Sequence, residues 1–206
     1  MNTKIIIAGI SAIAIIILGY FLFSKDASNN APVTDVKENT VLENTDNRGA
    51  QTDFSKMNAE FLFSANIPPG FAAEYIPALK AINIYDPSLP GENNMEKSQI
   101  YITYFKANNF LTLNTVDILR RYEVTVKGRA AVAYEIAKKP NVANFAGQPG
   151  WRNAKHNALD IRYSNENPSH FYPFAYNPAL TVPSSNASPE KIFSEFIDSL
   201  IFKEDQ

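Results

Sequence analysis

Residues 118–137 read ILRRYEVTVKGRAAVAYEIA and carry the clearest structural pattern of the chain. From Tyr122 to Val126, apolar residues alternate with charged or polar ones, and the second half of the segment alternates in the same way. A period of two places successive side chains on opposite faces of a β-strand. Lys127 and Gly128 lie between the two halves, and a short connection containing Gly is typical of a β-hairpin. The segment therefore predicts two antiparallel strands.

Four other segments have the composition of strands, because they are rich in β-branched and aromatic residues or alternate apolar with polar ones. They are residues 60–67, 81–85, 99–106 and 154–164. The first segment stops at Pro68-Pro69-Gly70, a sequence that removes two backbone hydrogen-bond donors and favours a turn. Since strands of this kind pack one face on a core, the chain is expected to form an antiparallel sheet.

A helix is predicted near the C-terminus. Ser188 is a favourable N-cap, and Pro189 suits the first helical position. Apolar residues then recur at helical spacing from Ile192 to Leu200. Residues 54–206, about 150 in number, are enough to bury a core without disulfides. The expected fold class is α+β, with an antiparallel sheet packed by helices that include this C-terminal one.

The N-terminal part of the chain has a different character. Residues 5–23 form an apolar run of 19 residues without a charge, and a helix needs about 20 residues to cross a bilayer. Residues 1–23 are therefore predicted to be a transmembrane signal anchor that binds the lipid bilayer through residues 5–23. A cleaved signal peptide is the alternative, although its apolar region would be about 7–15 residues long and end in an A-x-A-like site. We expect a single-pass protein with a cytoplasmic N-terminus and an extracytoplasmic C-terminal domain.

Residues 24–53 separate this apolar run from the candidate domain. They are rich in Asn, Asp, Glu, Thr and Ser and contain no aromatic residue. Such a segment cannot bury enough apolar surface to offset the entropy lost on ordering. We therefore predict a flexible polar linker over residues 24–53 and an α+β domain over residues 54–206.

The composition excludes several classes of site. The chain of 206 residues contains no Cys and two His, and its formal net charge is -2. Without Cys there is no disulfide framework, no thiol nucleophile and no Cys-based zinc site. The sequence also lacks the G-x-S-x-G, P-loop, H-E-x-x-H and G-x-G-x-x-G motifs. We therefore expect no metal, no cofactor and no recognisable catalytic motif.

Positive charge is concentrated in the middle of the chain. Between Arg120 and Arg162, nine Lys and Arg residues face three acidic ones. A basic region of this kind can attract an anionic polymer, but exposed strand edges also carry Lys and Arg that discourage aggregation. Because the total charge is close to zero, nucleic acid is not an expected partner. A protein or another component of a bacterial envelope is the expected partner.

One group of candidate binding residues lies on the predicted strand 154–164. His156, Asp160 and Arg162 share one face of that strand, because even numbers of residues separate them. Asp160 and Arg162 are neighbours there and could form an ion pair. His156 and Asp160 are about 13 Å apart along a strand, which is too far for a direct acid–base pair. The pattern predicts either a polar recognition patch or an ordinary polar face.

A second group is aromatic. Residues 168–180 contain the densest run of rings in the chain, and Trp151 precedes it. The candidate binding residues here are Trp151, His170, Tyr172 and Tyr176. Tyr and Trp are favoured at interfaces because they bury area and still form hydrogen bonds, but they are also ordinary core residues. Both an exposed aromatic groove and core packing are therefore open.

Three short segments resemble PsbP-like and Mog1-like domains. Residues 63–71 (FSANIPPGF) are similar to their opening strand and Pro-Gly turn. The hairpin around Lys127-Gly128, with Tyr134-Glu135 on its return strand, resembles their central hairpin. Residues 197–202 (IDSLIF) look like the end of their closing helix. The resemblance implies a central antiparallel sheet with helices on its faces and implies no activity, since domains of this superfamily act as binding and assembly modules.

These observations favour a membrane-anchored extracytoplasmic binding or assembly module of a bacterial envelope, without catalytic activity. One alternative is an anchored hydrolase that uses His156 or His170 with Asp160 or Glu135 as an acid–base pair. That alternative requires these groups to meet in one pocket. Another alternative is an accessory subunit that its single helix places in a membrane protein complex.

Overall fold

A computed structural model describes residues 41–43, 51–108, 114–177 and 188–203. The predicted signal anchor, residues 1–23, lies outside the described residues. Within the described residues, no helix combines the length and the apolar character needed to span a membrane.

The described part of the chain is dominated by β-strands. The strands are β1 Val41–Glu43, β2 Gln51–Asp53, β3 Phe63–Asn66, β4 Ala72–Ile76, β5 Ala81–Tyr85, β6 Ser98–Thr103, β7 Phe105–Lys106, β8 Val116–Val126, β9 Arg129–Lys138, β10 His156–Arg162, β11 His170–Tyr176 and β12 Ile201–Phe202. The helix α1 spans Pro189–Asp198, and short 3₁₀ turns span Phe54–Lys56 and Gly150–Asn153.

The strands form two antiparallel sheets. The large sheet has the order β1-β4-β5-β6-β11-β10-β9-β8, and β7 pairs with β11 beside β6. The small sheet has the order β12-β3-β2. In the described residues, β8 therefore forms one edge of the large sheet.

The predicted hairpin is confirmed as β8 and β9. Val126 pairs with Arg129, so the turn between the strands contains only Lys127 and Gly128. Both turn residues have positive φ, 50° and 77° respectively. This is the conformation of a type I′ turn, whose twist matches that of the two strands. Gly128 adopts it without the steric cost that a side chain brings.

The main core lies between one face of the large sheet and a second layer made by the small sheet and α1. Its members come from both layers, and 10 of its 23 buried residues are aromatic. The ring of Phe174 on β11 is 6.2 Å from that of Phe196 on α1. Tyr172 is fully buried near the centre, and its hydroxyl accepts from the Leu62 N–H and donates to the Glu60 carbonyl at 3.0 and 2.7 Å. This side chain therefore joins the two layers.

The predicted α+β fold class is wrong, because the described residues form mainly antiparallel strands and contain only one α-helix. That helix is the predicted C-terminal one, with Ser188 as its N-cap and Pro189 in its first turn. A second helix would need apolar residues at helical spacing over more than ten residues. Residues 139–155 are instead interrupted by Pro and Gly and form loops and a 3₁₀ turn. Strands replace the expected additional helices in the second layer.

The folded domain begins before residue 54. Val41–Glu43 pairs with β4 and Gln51–Asp53 pairs with β3, although both lie in the segment predicted to be a flexible linker. Each of these strands has only three residues. Their pairing with the longer strands β4 and β3, rather than their own apolar content, places them in the sheets. The sequence alone gives little sign of such short edge strands.

Candidate functional site

His156, Asp160 and Arg162 lie on the face of β10 that points away from the main core. Beside them on that face is a small apolar cluster made by Ala158 of β10 and by Val132, Tyr134 and Ile136 of β9. The same face continues across the sheet, where two further buried polar residues, Asn83 and Glu74, lie on β5 and β4. The strand register aligns them with Ala158 through Tyr101 of β6 and Ala175 of β11. We call His156, Asp160, Arg162, Asn83 and Glu74 the polar face. All five of these residues are buried.

Arg162 is only 5% exposed and is held by main-chain and aromatic groups. Its guanidinium donates to the carbonyls of Ala107 and Asn108 at 3.2 and 3.4 Å, and it lies 4.7 Å above the ring of Phe171. Burial lowers the pKa of Arg162, while the negative charge of Asp160 acts in the opposite direction. Asp160, which is 2% exposed, therefore interacts electrostatically with Arg162. This arrangement fastens residues 107 and 108 to the sheet.

Glu74 and Asn83 organise a second part of the polar face. Asn83 Nδ2 donates to Glu74 Oε1 at 3.1 Å and to the Asn94 carbonyl at 3.0 Å. Asn94 Nδ2 in turn donates to Glu74 Oε2 at 3.0 Å. Through these bonds the loop after β5 is tied to β4 and β5. The carboxylate of Glu74 therefore stabilises the contact between the loop and the sheet.

His156 is buried against Trp151 at the start of β10. The centroids of the two rings are 4.8 Å apart, and Trp151 lies in the 3₁₀ turn that precedes the strand. His156 Nδ1 is 2.9 Å from the Ala154 carbonyl, so this nitrogen carries the proton and donates. Burial is the main reason that the pKa of His156 is lowered, and the nearby charge of Arg152 adds to the effect. The folded protein therefore favours the neutral imidazole.

This lowered pKa predicts a loss of stability in mild acid. The unfolded chain binds a proton at His156 more readily than the folded one. The stability that His156 contributes is therefore fully present above the unfolded pKa of about 6.5, and the free energy of unfolding falls as the pH drops below that value. We expect a lower urea midpoint at pH 5.5 than at pH 7.5. The His156→Gln variant should show a smaller difference between the two midpoints. An unchanged difference in His156→Gln would contradict this account.

The residues of the hydrolase alternative do not converge. His170 begins β11 next to Phe171, which pairs with Arg162, so it lies at the far end of β10 from His156. The two imidazoles are about 20 Å apart along the strands. Glu135 pairs with Asn157 and so lies on the opposite face from His156, where it forms ion pairs with Lys155 and with Arg120. Among these four residues the structure offers no acid–base pair.

The aromatic candidates are mostly used in packing. Tyr172 is a core residue, and Trp151 is buried against His156. Tyr176 stacks on Phe193 of α1 with 4.0 Å between ring centroids, and its hydroxyl accepts from Asn157 at 2.9 Å. The described rings therefore favour core packing over an exposed aromatic groove.

A cleft at the end of β6 and β11 has a volume of about 10 Å³, enough for about one water molecule. It is lined by Gln99, Ile100, Tyr176, Asn177, Pro189 and Ile192. No group of three His, Asp or Glu side chains is arranged to hold a metal ion in the described part of the chain.

Three of the five large apolar side chains that are exposed in the described residues lie on β8, which was not among the candidate binding sites. Ile118, Leu119 and Tyr122 of β8 are 48%, 47% and 55% exposed. Arg121 and Glu123 on the same strand are also exposed, and their charged groups are 4.0 Å apart. The alternating pattern of residues 118–126 predicted a strand, but edge position depends on the order of strands in the sheet. The sequence therefore predicted the strand, and only the order of strands in the sheet shows that the strand lies at an edge.

Comparison with known proteins gave no match, whether the chain was compared with family models, with curated proteins or with solved structures.

Proposed function

We propose that this protein is a non-catalytic binding or assembly module, held at a membrane of a bacterial envelope by residues 5–23 with its folded domain outside the cytoplasm. The observation that carries the proposal is the use of the polar face. Its ionisable side chains are buried and bind other parts of the same domain, so they are not presented to a substrate. Three exposed apolar side chains lie instead along the strand β8.

Membrane attachment rests on the apolar run. Its 19 residues carry no charge, and Lys4 and Lys25 lie just outside it. A segment of this length matches the hydrocarbon thickness of a bilayer. The large polar remainder of the chain follows this run, and we place it outside the cytoplasm.

A fractionation experiment with the full-length protein tests this proposal. We expect the intact chain in the membrane fraction after a carbonate wash, and we expect protease added outside the cytoplasmic membrane to digest the folded domain. The matched control is Ile13→Asp/Ile16→Asp, because each Asp near the centre of a spanning segment costs about 3 kcal/mol on insertion. This variant should move to the soluble fraction. Recovery of the wild-type chain as a soluble protein without residues 1–23 would refute the anchored form.

Crosslinking in the same membranes identifies the partner. A reproducible adduct with one envelope protein supports the binding module, and co-purification with a whole complex after mild detergent extraction indicates an accessory subunit. Hydrolysis of a substrate by the purified protein, lost in either His156→Gln or His170→Gln, would overturn the non-catalytic assignment.

A further inference from the structure

The strand β8 is long, exposed and paired on one side only within the described residues. Ten of its eleven residues pair with β9, all except Leu119, and the strand ends the order of the large sheet. Every side chain from Asp117 to Glu123 is exposed, on both faces of the strand. An edge of this kind is a template for another strand, because its outer main-chain groups can pair with a second chain.

The turn of the hairpin determines which main-chain groups point outward. Val126 and Arg129 flank a two-residue turn, so they exchange hydrogen bonds with each other. Hydrogen-bonded and non-hydrogen-bonded positions alternate along an antiparallel pair. Arg121 and Glu123 therefore occupy non-hydrogen-bonded positions relative to β9, and their N–H and C=O groups point away from the sheet.

The outward-facing part of β8 is complementary to itself. We propose that two copies of this protein pair through β8, antiparallel and with Tyr122 opposite Tyr122 of the second copy. In this register Arg121 of each copy faces Glu123 of the other, and these two residues exchange both main-chain hydrogen bonds. Opposite charges and aromatic pairs on facing strands are each favourable. The two large sheets then form one continuous sheet across a twofold axis.

Charge selects this register over its neighbours. Sliding one strand by two residues in one direction places Arg121 opposite Arg121, and sliding it in the other direction places Glu123 opposite Glu123. Like charges directly opposite each other destabilise a strand pair. The irregular register between Ile118 and Arg120 ends the regular part of the strand and so limits the length over which two copies can pair.

The expected affinity is modest. Pairing over about five residues buries less surface than the roughly 1,600 Å² of a standard interface. Confinement of both copies in one membrane would raise their effective concentration and favour the pair. The inference itself does not depend on the anchor, because β8 belongs to the folded domain.

A single engineered cysteine tests the pairing. The chain has no Cys, so Tyr122→Cys introduces the only thiol. Residues that face each other in a non-hydrogen-bonded pair have Cα atoms about 4.5 Å apart, within the range of about 4.4–6.8 Å that a disulfide spans. We expect the full-length variant, purified in detergent at low concentration and mildly oxidised, to form a covalent dimer. The matched control is Ile201→Cys, since Ile201 is 58% exposed on the strand β12 and should not crosslink.

Charge exchange then tests the register. On the Tyr122→Cys background, Arg121→Glu places Glu opposite Glu123, and Glu123→Arg places Arg opposite Arg121. Each change is expected to lower the rate of crosslinking about tenfold, because two pairs per dimer become repulsive and 1.4 kcal/mol corresponds to a factor of ten. The double variant Arg121→Glu/Glu123→Arg restores opposite charges and should restore the rate. Thermal melts of all variants verify that the fold is retained.

Three outcomes would overturn the proposal. The first is crosslinking of Tyr122→Cys no faster than that of Ile201→Cys, and the second is a double variant that stays as slow as the single ones. The third concerns another occupant of the edge. If a photo-crosslinker at position 122 in intact cells captures a different protein and no second copy, β8 pairs with that partner and not with itself. Failure of membrane attachment would leave these detergent measurements unaffected, so the two proposals fail independently.

Discussion

A Tyr172→Ala protein is expected to lose about 3–5 kcal/mol of its free energy of unfolding, the usual cost of removing a large aromatic side chain from a core. Tyr172 is fully buried, and its ring lies within 5.2–6.2 Å of the rings of Phe61, Phe63 and Phe202. Truncation would leave a cavity between the two layers. It would also remove the partner of the Leu62 N–H and the Glu60 carbonyl. Urea denaturation followed by tryptophan fluorescence measures the loss.

One further variant separates the contribution of the Tyr172 hydroxyl from that of its ring, and another serves as the control. Tyr172→Phe keeps the ring and removes the hydroxyl, so it should cost about 1–3 kcal/mol for the main-chain groups left without their partner. Leu79→Ala is the control, because Leu79 is exposed and such changes usually lie within about 0.5 kcal/mol. If Tyr172→Ala were no less stable than Leu79→Ala, the placement of Tyr172 between the layers would be incorrect.

The second large effect is expected for Arg162→Ala, also about 3–5 kcal/mol. Removing one member of a buried charge pair leaves the other charge without compensation in a region of low dielectric constant. Here Asp160 loses the electrostatic partner that lies beside it, and the carbonyls of Ala107 and Asn108 lose their donor as well. Adding Asp160→Asn to Arg162→Ala should recover part of the loss, because the buried negative charge that Arg162 balanced is then removed.

Arg120→Ala provides the comparison for Arg162→Ala. Arg120 also pairs with an acid, Glu135, at 3.4 Å, but its side chain is 77% exposed. Solvent screens such a pair, so the free energy of unfolding should hardly change. Equal losses for the two arginine variants would show that burial of the polar face contributes little to stability.

The elements that sequence reasoning predicted are those determined by local pattern. The hairpin of residues 118–137 and the helix that begins at Pro189 carry their own turn and cap signals, and both are present. β11 was not predicted, because Pro173 lies in its middle and cannot donate to a ladder. The structure accommodates Pro173 because the strand that pairs with β11 opposite β10 is interrupted at Tyr104, between β6 and β7. Such an accommodation involves two distant segments and has no local signature.

The candidate site was predicted less well for a similar reason. The sequence placed His156, Asp160 and Arg162 on one face of a strand, which is correct. It could not show that loops cover that face, since burial depends on where residues 94, 107 and 151 pass in three dimensions. The exposed edge at β8 was missed because the position of a strand in a sheet is set by all the other strands.

The last described strand has a consequence for how this protein is made. β12 completes the small sheet by pairing with β3, and the ion pair between Lys203 and Asp53 joins residues 150 positions apart in the sequence. Phe202 contributes to the main core, and the carbonyl of Lys203 accepts from the hydroxyl of Tyr163. The core therefore cannot close until residue 203 has left the ribosome. Contacts between such distant residues slow folding, so the emerging chain will expose its aromatic residues to chaperones throughout synthesis.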